Sequence, residues 1–349
     1  MKTAVIGAGA WGTALAKVAH SNGGDVCLWG RDADALAALG REGRNERYLP
    51  GVELPRDLPT EADLVKAVDG AGCVVLAVPS RAFREVIARL AKFDGVAVSV
   101  TKGIEFETGL TMHGILEDVL DAAHHPRLVA LSGPSFAAEI AQQRPTVVTL
   151  ACREEAYAIS VQATLSSPWF RCYTNSDVVG VEIAGALKNV IAIAIGMCDA
   201  QDGGHNARAA LMTRGLAEIT RIGVALGATP ETFLGLSGMG DLLLTCTGDL
   251  SRNRRVGLGL GSGRKLEEIV ADLGEVAEGV QTTRAAVRLA GRLGVEAPIS
   301  SQVRAVLDGE KTPQEAGLAL MTRQLKSERD TSFARRSGTR SPESEHDRK

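Results

Sequence analysis

Short, nearly continuous apolar runs alternate with amphipathic stretches through the first half of the chain. The runs lie at residues 3–6, 25–29, 73–78, 96–101, 128–132, 146–151 and 170–173, and most are rich in valine. They lack polar alternation, as strands buried on both faces of a sheet do. Amphipathic segments such as 81–92 and 111–122 separate several of them. The pattern predicts βαβ units and an open, doubly wound, mostly parallel sheet of the Rossmann type. Residues 41–57 carry Pro50, Gly51 and Pro55 and read as a loop.

After about Asn175 the period lengthens to that of helices, predicted at 178–198, 208–226, 266–272, 281–293, 300–307 and 313–320. Several stop at a glycine (Gly227, Gly294, Gly309), as helix C-termini do. The expected organisation is an α/β nucleotide-binding domain at 1–177, an all-α domain at 178–326, and a tail at 327–349. Charges and serines dominate that tail, which holds too little apolar surface to order itself and is expected to be flexible and unneeded for catalysis. Segment 178–198 is the most apolar, but Glu182, Lys188 and Asn189 interrupt it. A buried helix is expected there, not a membrane span.

Composition narrows the class. With 349 residues the chain suits two domains, and 45% hydrophobic with only 4% aromatic residues predicts aliphatic cores. A formal net charge of −3 gives no field that recruits nucleic acid or an anionic membrane. The six cysteines (27, 73, 152, 172, 198 and 246) form no C-x-x-C, which points to reduced thiols in a cytoplasmic protein. No signal peptide is expected before the first strand. No metal-ligand spacing, G-x-S-x-G or Walker A motif occurs, so metal, hydrolase and kinase chemistry lack support.

The first chemistry-bearing motif is Gly7-Ala8-Gly9-Ala10-Trp11-Gly12, between a predicted strand and a predicted helix. A G-x-G-x-x-G there turns free N–H groups and a helix dipole toward a pyrophosphate. Gly7 makes the turn, Gly9 admits the phosphates, and Gly12 brings helix and sheet together. After the second strand comes Gly30-Arg31-Asp32. Arg31 suits a ribose 2′-phosphate and Asp32 stands one position late for the ribose hydroxyls, which favours NADP(H) and leaves NAD(H) open.

Polar residues break the apolar pattern at four other places. Lys102 follows a strand, where ligands bind in open α/β sheets, and suits a phosphate or a carbonyl oxygen. Ser135 follows the Gly133-Pro134 turn and either caps the next helix or bonds a ligand. Lys188-Asn189 interrupts the apolar helix, and Glu182 is at the wrong spacing to pair with the ammonium. Lys188 therefore has a distant partner or points into a cavity, where an amine readily serves as proton donor and acceptor. Asp241 follows Gly238-Met239-Gly240, and Ser251-Arg252-Asn253 opens a helix whose N–H groups suit a phosphate.

These pieces occur in one order: the glycine motif with Thr13-Ala14-Leu15-Ala16, Thr101-Lys102-Gly103, Ser132-Gly133-Pro134-Ser135-Phe136-Ala137, Ala186-Leu187-Lys188-Asn189, Gly238-Met239-Gly240-Asp241-Leu242, Ser251-Arg252-Asn253 and Val276-Ala277-Glu278-Gly279. Over residues 1–326 the set resembles the bacterial NAD(P)-dependent glycerol-3-phosphate dehydrogenase family. The resemblance implies reversible reduction of dihydroxyacetone phosphate to sn-glycerol 3-phosphate, for phospholipid synthesis, in a cytoplasmic enzyme. It implies Lys188 as the catalytic proton donor or acceptor. Substrate is implied on Lys102, Gly133, Ser135, Lys188, Asp241, Ser251, Arg252 and Asn253. Cofactor is implied on the Gly7–Gly12 turn, including Ala10 and Trp11, and on Arg31, Lys102, Ala137, Arg252, Val276 and Glu278. Ala10 departs from many relatives, which have serine there. A homodimer is expected. The alternatives are a related 3-hydroxy-acid dehydrogenase and a non-catalytic dinucleotide sensor.

Overall fold

The computed structural model describes residues 1–274, 277–325, 327 and 328. Val276, and the expected tail apart from residues 327 and 328, lie outside the described residues. The strands are β1 (Thr3–Ile6), β2 (Val26–Trp29), β3 (Arg44–Asn45), β4 (Leu49–Glu53), β5 (Thr60–Glu61), β6 (Cys73–Leu76), β7 (Val96–Ser99), β8 (Leu128–Ser132), β9 (Thr146–Ala151) and β10 (Phe170–Asn175). Eight of them form one sheet in the order β10-β9-β8-β7-β6-β1-β2-β5. Val5 sits between Leu28 and Val75 in register. Every pair in this sheet is parallel except β8–β9. The strand order reverses between β1 and β6, and the crevice at their C-terminal ends is where ligands bind in such sheets.

Helices α1 (Ala10–Ser21), α2 (Ala33–Glu42), α3 (Leu64–Val68), α4 (Ser80–Ala88), α5 (Met112–Val119), α6 (Ala137–Ala141) and α7 (Glu155–Leu165) accompany the sheet. One face of the sheet packs Val5, Val75 and Val98 with Leu15 of α1. The other packs Ile6, Leu76 and Ala97 with Phe83 of α4 and Ile115 of α5. Both faces are covered, which is why the strands read as unbroken apolar runs.

The expected loop at 41–57 is corrected here. Residues Arg44–Asn45 and Leu49–Glu53 pair as a two-stranded antiparallel ribbon. Pro50 and Gly51 lie inside β4, and an isolated ribbon tolerates a proline because no third strand needs its N–H. The ribbon, the two-residue β5 and the one-turn α3 are too short to show a period.

The second half is helical: α8 (Val178–Ala200), α9 (Gly204–Ala225), α10 (Asp241–Thr247), α11 (Arg252–Gly261), α12 (Leu266–Leu273), α13 (Glu278–Leu293), α14 (Pro298–Leu307) and α15 (Pro313–Met321). By length and composition α8 is apolar enough to cross a membrane, with mean hydropathy 1.9, but 89% of that window is buried inside the protein. Its Ile183, Leu187, Ile191 and Ile195 centre the core of the helical half. Gly196 of α8 and Gly257 of α11 face each other, and a Cβ on either would strike the other helix's backbone. Their lack of side chains lets α11 lie directly on α8, which brings the start of α11 toward Asn189. Gly227, Gly294 and Gly309 follow helix ends with φ of 95°, 65° and 72°, as the sequence predicts.

Candidate active site

The glycine turn forms as its spacing requires. Gly7 has φ 124°, and a Cβ there would lie 2.5 Å from the Ala77 carbonyl oxygen at the exit of β6. A Cβ on Gly12 would collide with the Gly7 carbonyl. Nothing lies within 4 Å of a Cβ built on Gly9, the residue that caps α1 without a side-chain bond. The first and third glycines are thus demanded by packing, while the second faces open space at a helix N-terminus, which fits a pyrophosphate. Ala10 begins α1, at a helix N-terminus where backbone N–H groups are available. Trp11 is partly buried against the core beside it.

Arg31 is exposed just past β2. Asp32 caps α2, its carboxylate accepting from the Ala35 N–H at 3.0 Å. That bond commits Asp32 to the helix start, next to the exposed Arg31.

The structure also supplies a residue that sequence reasoning missed. Asn45, in the ribbon read as a loop, donates its amide to the Ala8 carbonyl at 3.0 Å and to the Thr13 hydroxyl at 2.8 Å. It braces the glycine turn from the side. No local signal marks it, because its partners lie more than thirty positions away. Replacing Asn45 by Ala removes two hydrogen bonds, and the KM for the nicotinamide cofactor is expected to rise about five- to tenfold with kcat little changed. Steady-state titration of the cofactor checks this.

Across the crevice, three charges meet. Lys102 follows β7 and donates Nζ to Asp241 Oδ2 at 2.6 Å and to the Gly133 carbonyl at 3.3 Å. Lys188, on α8, donates Nζ to Asp241 Oδ1 and to the Thr245 hydroxyl, each at 2.5 Å. Thr245 in turn donates to Asp241 Oδ1 at 3.3 Å. Asp241 is fully buried and Lys188 is 7% exposed. Burial pulls the Lys188 ammonium down to about 8; the Asp241 carboxylate opposes that and the Lys102 charge adds to it. One carboxylate thus holds two ammonium groups, and the trio carries one net positive charge.

Lys188 has the distant partner that the sequence allows for, Asp241. Asp241 is the first residue of α10, and its carboxylate accepts from both lysines. Glu182, off spacing for Lys188, accepts instead from the backbone N–H of His113 at 2.7 Å. Thr245 was not anticipated, although it stands four residues after Asp241 on the same helix face.

The other candidates cluster around this trio to different degrees. Gly133 has φ 144°, and its carbonyl accepts the Ser135 hydroxyl at 2.7 Å. Ser135 therefore does not cap α6, whose first residue is Ala137. Ser251 caps α11, accepting from the Arg254 N–H at 3.2 Å, and Arg252 is the first residue of that helix. Asn253 bridges three helices. It donates to the Asn189 side chain at 2.9 Å and accepts from the Gly279 N–H at 3.0 Å. Those bonds fix the start of α11 beside Lys188-Asn189. Glu278 opens α13 and accepts from the N–H and hydroxyl of Ser80, the first residue of α4. Among the described residues no group of three or more His, Cys, Asp or Glu could hold a metal ion.

Comparisons with known proteins bear on this geometry. Models of the NAD-dependent glycerol-3-phosphate dehydrogenase N-terminus and C-terminus match residues 2–158 and 177–317. The chain is 52% identical to a glycerol-3-phosphate dehydrogenase [NAD(P)+] of Myxococcus xanthus over 94% of its own length and 99% of the relative's. It is 50% identical to one of a Geobacter species over 94% and 98%. The crystal structure of a glycerol-3-phosphate dehydrogenase from Coxiella burnetii superposes with a TM-score of 0.88 at 39% identity, covering 92% of this chain and 99% of that one. The glycine turn, the sheet and the helical half fall within these matches, and the chain belongs to the NAD-dependent glycerol-3-phosphate dehydrogenase family.

Proposed function

We propose that this protein is a glycerol-3-phosphate dehydrogenase that interconverts dihydroxyacetone phosphate and sn-glycerol 3-phosphate with NADP(H), or with NAD(H). The observation that carries the reading is the buried Lys102–Asp241–Lys188 cluster, with Lys102 just past the C-terminal end of β7, on the sheet edge where ligands bind. The cofactor, when bound, supplies or accepts the hydride. Lys188 is the proton donor to the forming alkoxide in reduction and the acceptor of the hydroxyl proton in oxidation. Lys102 stabilises negative charge on the same oxygen side, and Asp241 orients both amines. The start of α11, with Ser251, Arg252 and Asn253, binds the substrate phosphate, together with the Gly133–Ser135 turn. That remote contact places the carbonyl for transfer.

In this reading residues 1–177 hold the nucleotide, 178–326 the catalytic amine and phosphate site, and the enzyme is cytoplasmic, its product entering phospholipid synthesis. Exposed Leu318 and Met321 on α15 favour a homodimer; a monomer mass by light scattering at micromolar concentration would remove that part. The catalytic reading is tested by following NADPH consumption with dihydroxyacetone phosphate and with 2- and 3-keto acids. Turnover with the triose phosphate and none with the acids is expected. Preference for an acid moves the chain to the hydroxy-acid dehydrogenase reading, and no turnover leaves only a dinucleotide sensor.

Arg31 reads the 2′-phosphate in this proposal. Exchange of Arg31 for Asp is expected to lower kcat/KM with NADPH at least about tenfold while sparing NADH. An unchanged ratio of the two cofactors relocates the phosphate reader.

A further inference from the structure

The start of α13 is tied to the start of α4, in the other half of the molecule. Ser80 donates its N–H to Glu278 Oε1 at 3.0 Å and its hydroxyl to Glu278 Oε2 at 2.5 Å. The carboxylate thereby caps α4, whose own preceding residue, Pro79, makes no side-chain cap. It also sits at two helix N-termini at once, where anions are favoured.

This junction lies at a particular place on the sheet. Arg31 marks the side of β2, and the glycine turn marks β1. Ser80 follows β6, on the other side of the turn. The Thr101 hydroxyl donates to the Val78 carbonyl at 2.7 Å and so joins the exits of β6 and β7. A Cβ built on Gly103 would lie 2.8 Å from the Ser80 Cβ and 3.8 Å from Glu278 Oε2. The pair is therefore packed against the segment that carries Lys102. A dinucleotide whose adenosine reaches Arg31 and whose pyrophosphate lies on the glycine turn extends its nicotinamide toward these exits.

We infer that Ser80 is a positioning residue for the nicotinamide end of the cofactor: it holds Glu278 across the crevice in the orientation that receives the cofactor. This rests on the reading of Glu278 as a cofactor contact. Two Ser80 donors occupy one lone pair on each carboxylate oxygen and leave acceptor capacity for a further donor, such as the amide of a nicotinamide. Without them the glutamate side chain has several rotatable bonds to order when the cofactor arrives, and binding weakens.

The helix has other ties to the same half. Arg292 donates to the carbonyls of Thr108 at 2.7 Å and Glu107 at 3.1 Å. These bonds dock α13 far from its first turn and offer a control that separates docking from positioning.

The test is fluorescence titration of NADPH into the full-length protein and its variants, with steady-state kinetics alongside. Ser80→Ala is expected to weaken NADPH binding about tenfold and to leave the KM for dihydroxyacetone phosphate within about twofold. Ser80→Thr, which keeps the hydroxyl, restores binding to within about twofold. Glu278→Ala weakens binding at least as much as Ser80→Ala, and the double variant is no weaker than Glu278→Ala alone. Arg292→Ala leaves NADPH binding unchanged. If Glu278→Ala binds NADPH normally, the assignment of Glu278 to the cofactor is wrong. The positioning role is overturned if Glu278→Ala is impaired while Ser80→Ala is normal. A threonine that fails to rescue, additive effects in the double variant, or equal damage from Arg292→Ala each overturn it too.

Discussion

Replacing Lys188 by Ala lowers kcat for triose phosphate reduction by about 10³-fold or more, the range expected when a positioned proton donor is lost. Binding of NADPH stays near its starting value, because Lys188 lies with Asp241 and Thr245 and not on the glycine turn. The intact enzyme also makes a directional prediction. Burial pulls the Lys188 ammonium down to about 8. Below that pH the amine carries its proton and can donate it, so the reduction is at full rate and declines as pH rises through about 8. Oxidation of glycerol 3-phosphate needs the neutral amine and gains over the same interval. The two profiles of kcat/KM therefore cross. If both directions fall together above pH 8, the titrating group is not the one that exchanges the proton. Retention of kcat in the alanine variant would assign the proton to another residue.

The second large effect is expected at Asp241. Exchange of Asp241 for Asn keeps the shape and removes the anion that two ammonium groups share at 2.5 and 2.6 Å. Breaking a buried ion pair from one side costs about 3–5 kcal/mol, so a clear fall in Tm is expected. The chemistry changes with it. Asp241 opposes the downward pull of burial on Lys188. Its loss moves the Lys188 ammonium further down. At pH 7 the reductive kcat falls by about 10²-fold, from lost charge and lost orientation together. Lower pH returns part of the rate, because it restores the proton but not the geometry. A variant whose pH profile matches the parent's would show that Asp241 is only structural, whatever its Tm.

These two residues also show what a linear reading can reach. Lys188-Asn189 stands out locally, since a charge in an apolar helix demands an explanation. Asp241 is 53 positions further on and looks like a helix start. Nothing in the intervening sequence announces that α10 lies against α8. The contact forms because α8, buried all round from residue 180 to 197, is the axis on which the other helices pack. Asn253 behaves in the same way. Its place in a phosphate-suited helix start is legible, but its bonds to Asn189 and Gly279 are not.

Element boundaries follow the same division. Strands 3–6, 128–132 and 146–151 begin and end where apolar runs do. Helix α13 begins at Glu278, three residues before the periodic reading starts it, because Val280 is the only apolar side chain in its first turn and one such residue shows no period. The ribbon at 44–53 was missed for a related reason. Its two strands alternate too briefly to carry a period, and a proline and a glycine sit within it. Yet it delivers Asn45 to the glycine turn.

What the chain by itself determined is local: an apolar run buried on both faces, a glycine turn whose first and third glycines no side chain can replace, an amine set in grease, and a serine-led helix start. Those features arise from backbone sterics and from the cost of burying polar groups, which act on neighbours in sequence. Only the folded molecule decided which distant charges meet. It settled that β9 runs against β8, that one carboxylate would hold two amines, that Asn45 would bond the glycine turn and that Ser80 would bond Glu278, because such pairings depend on how elements pack in space and leave no period along the chain.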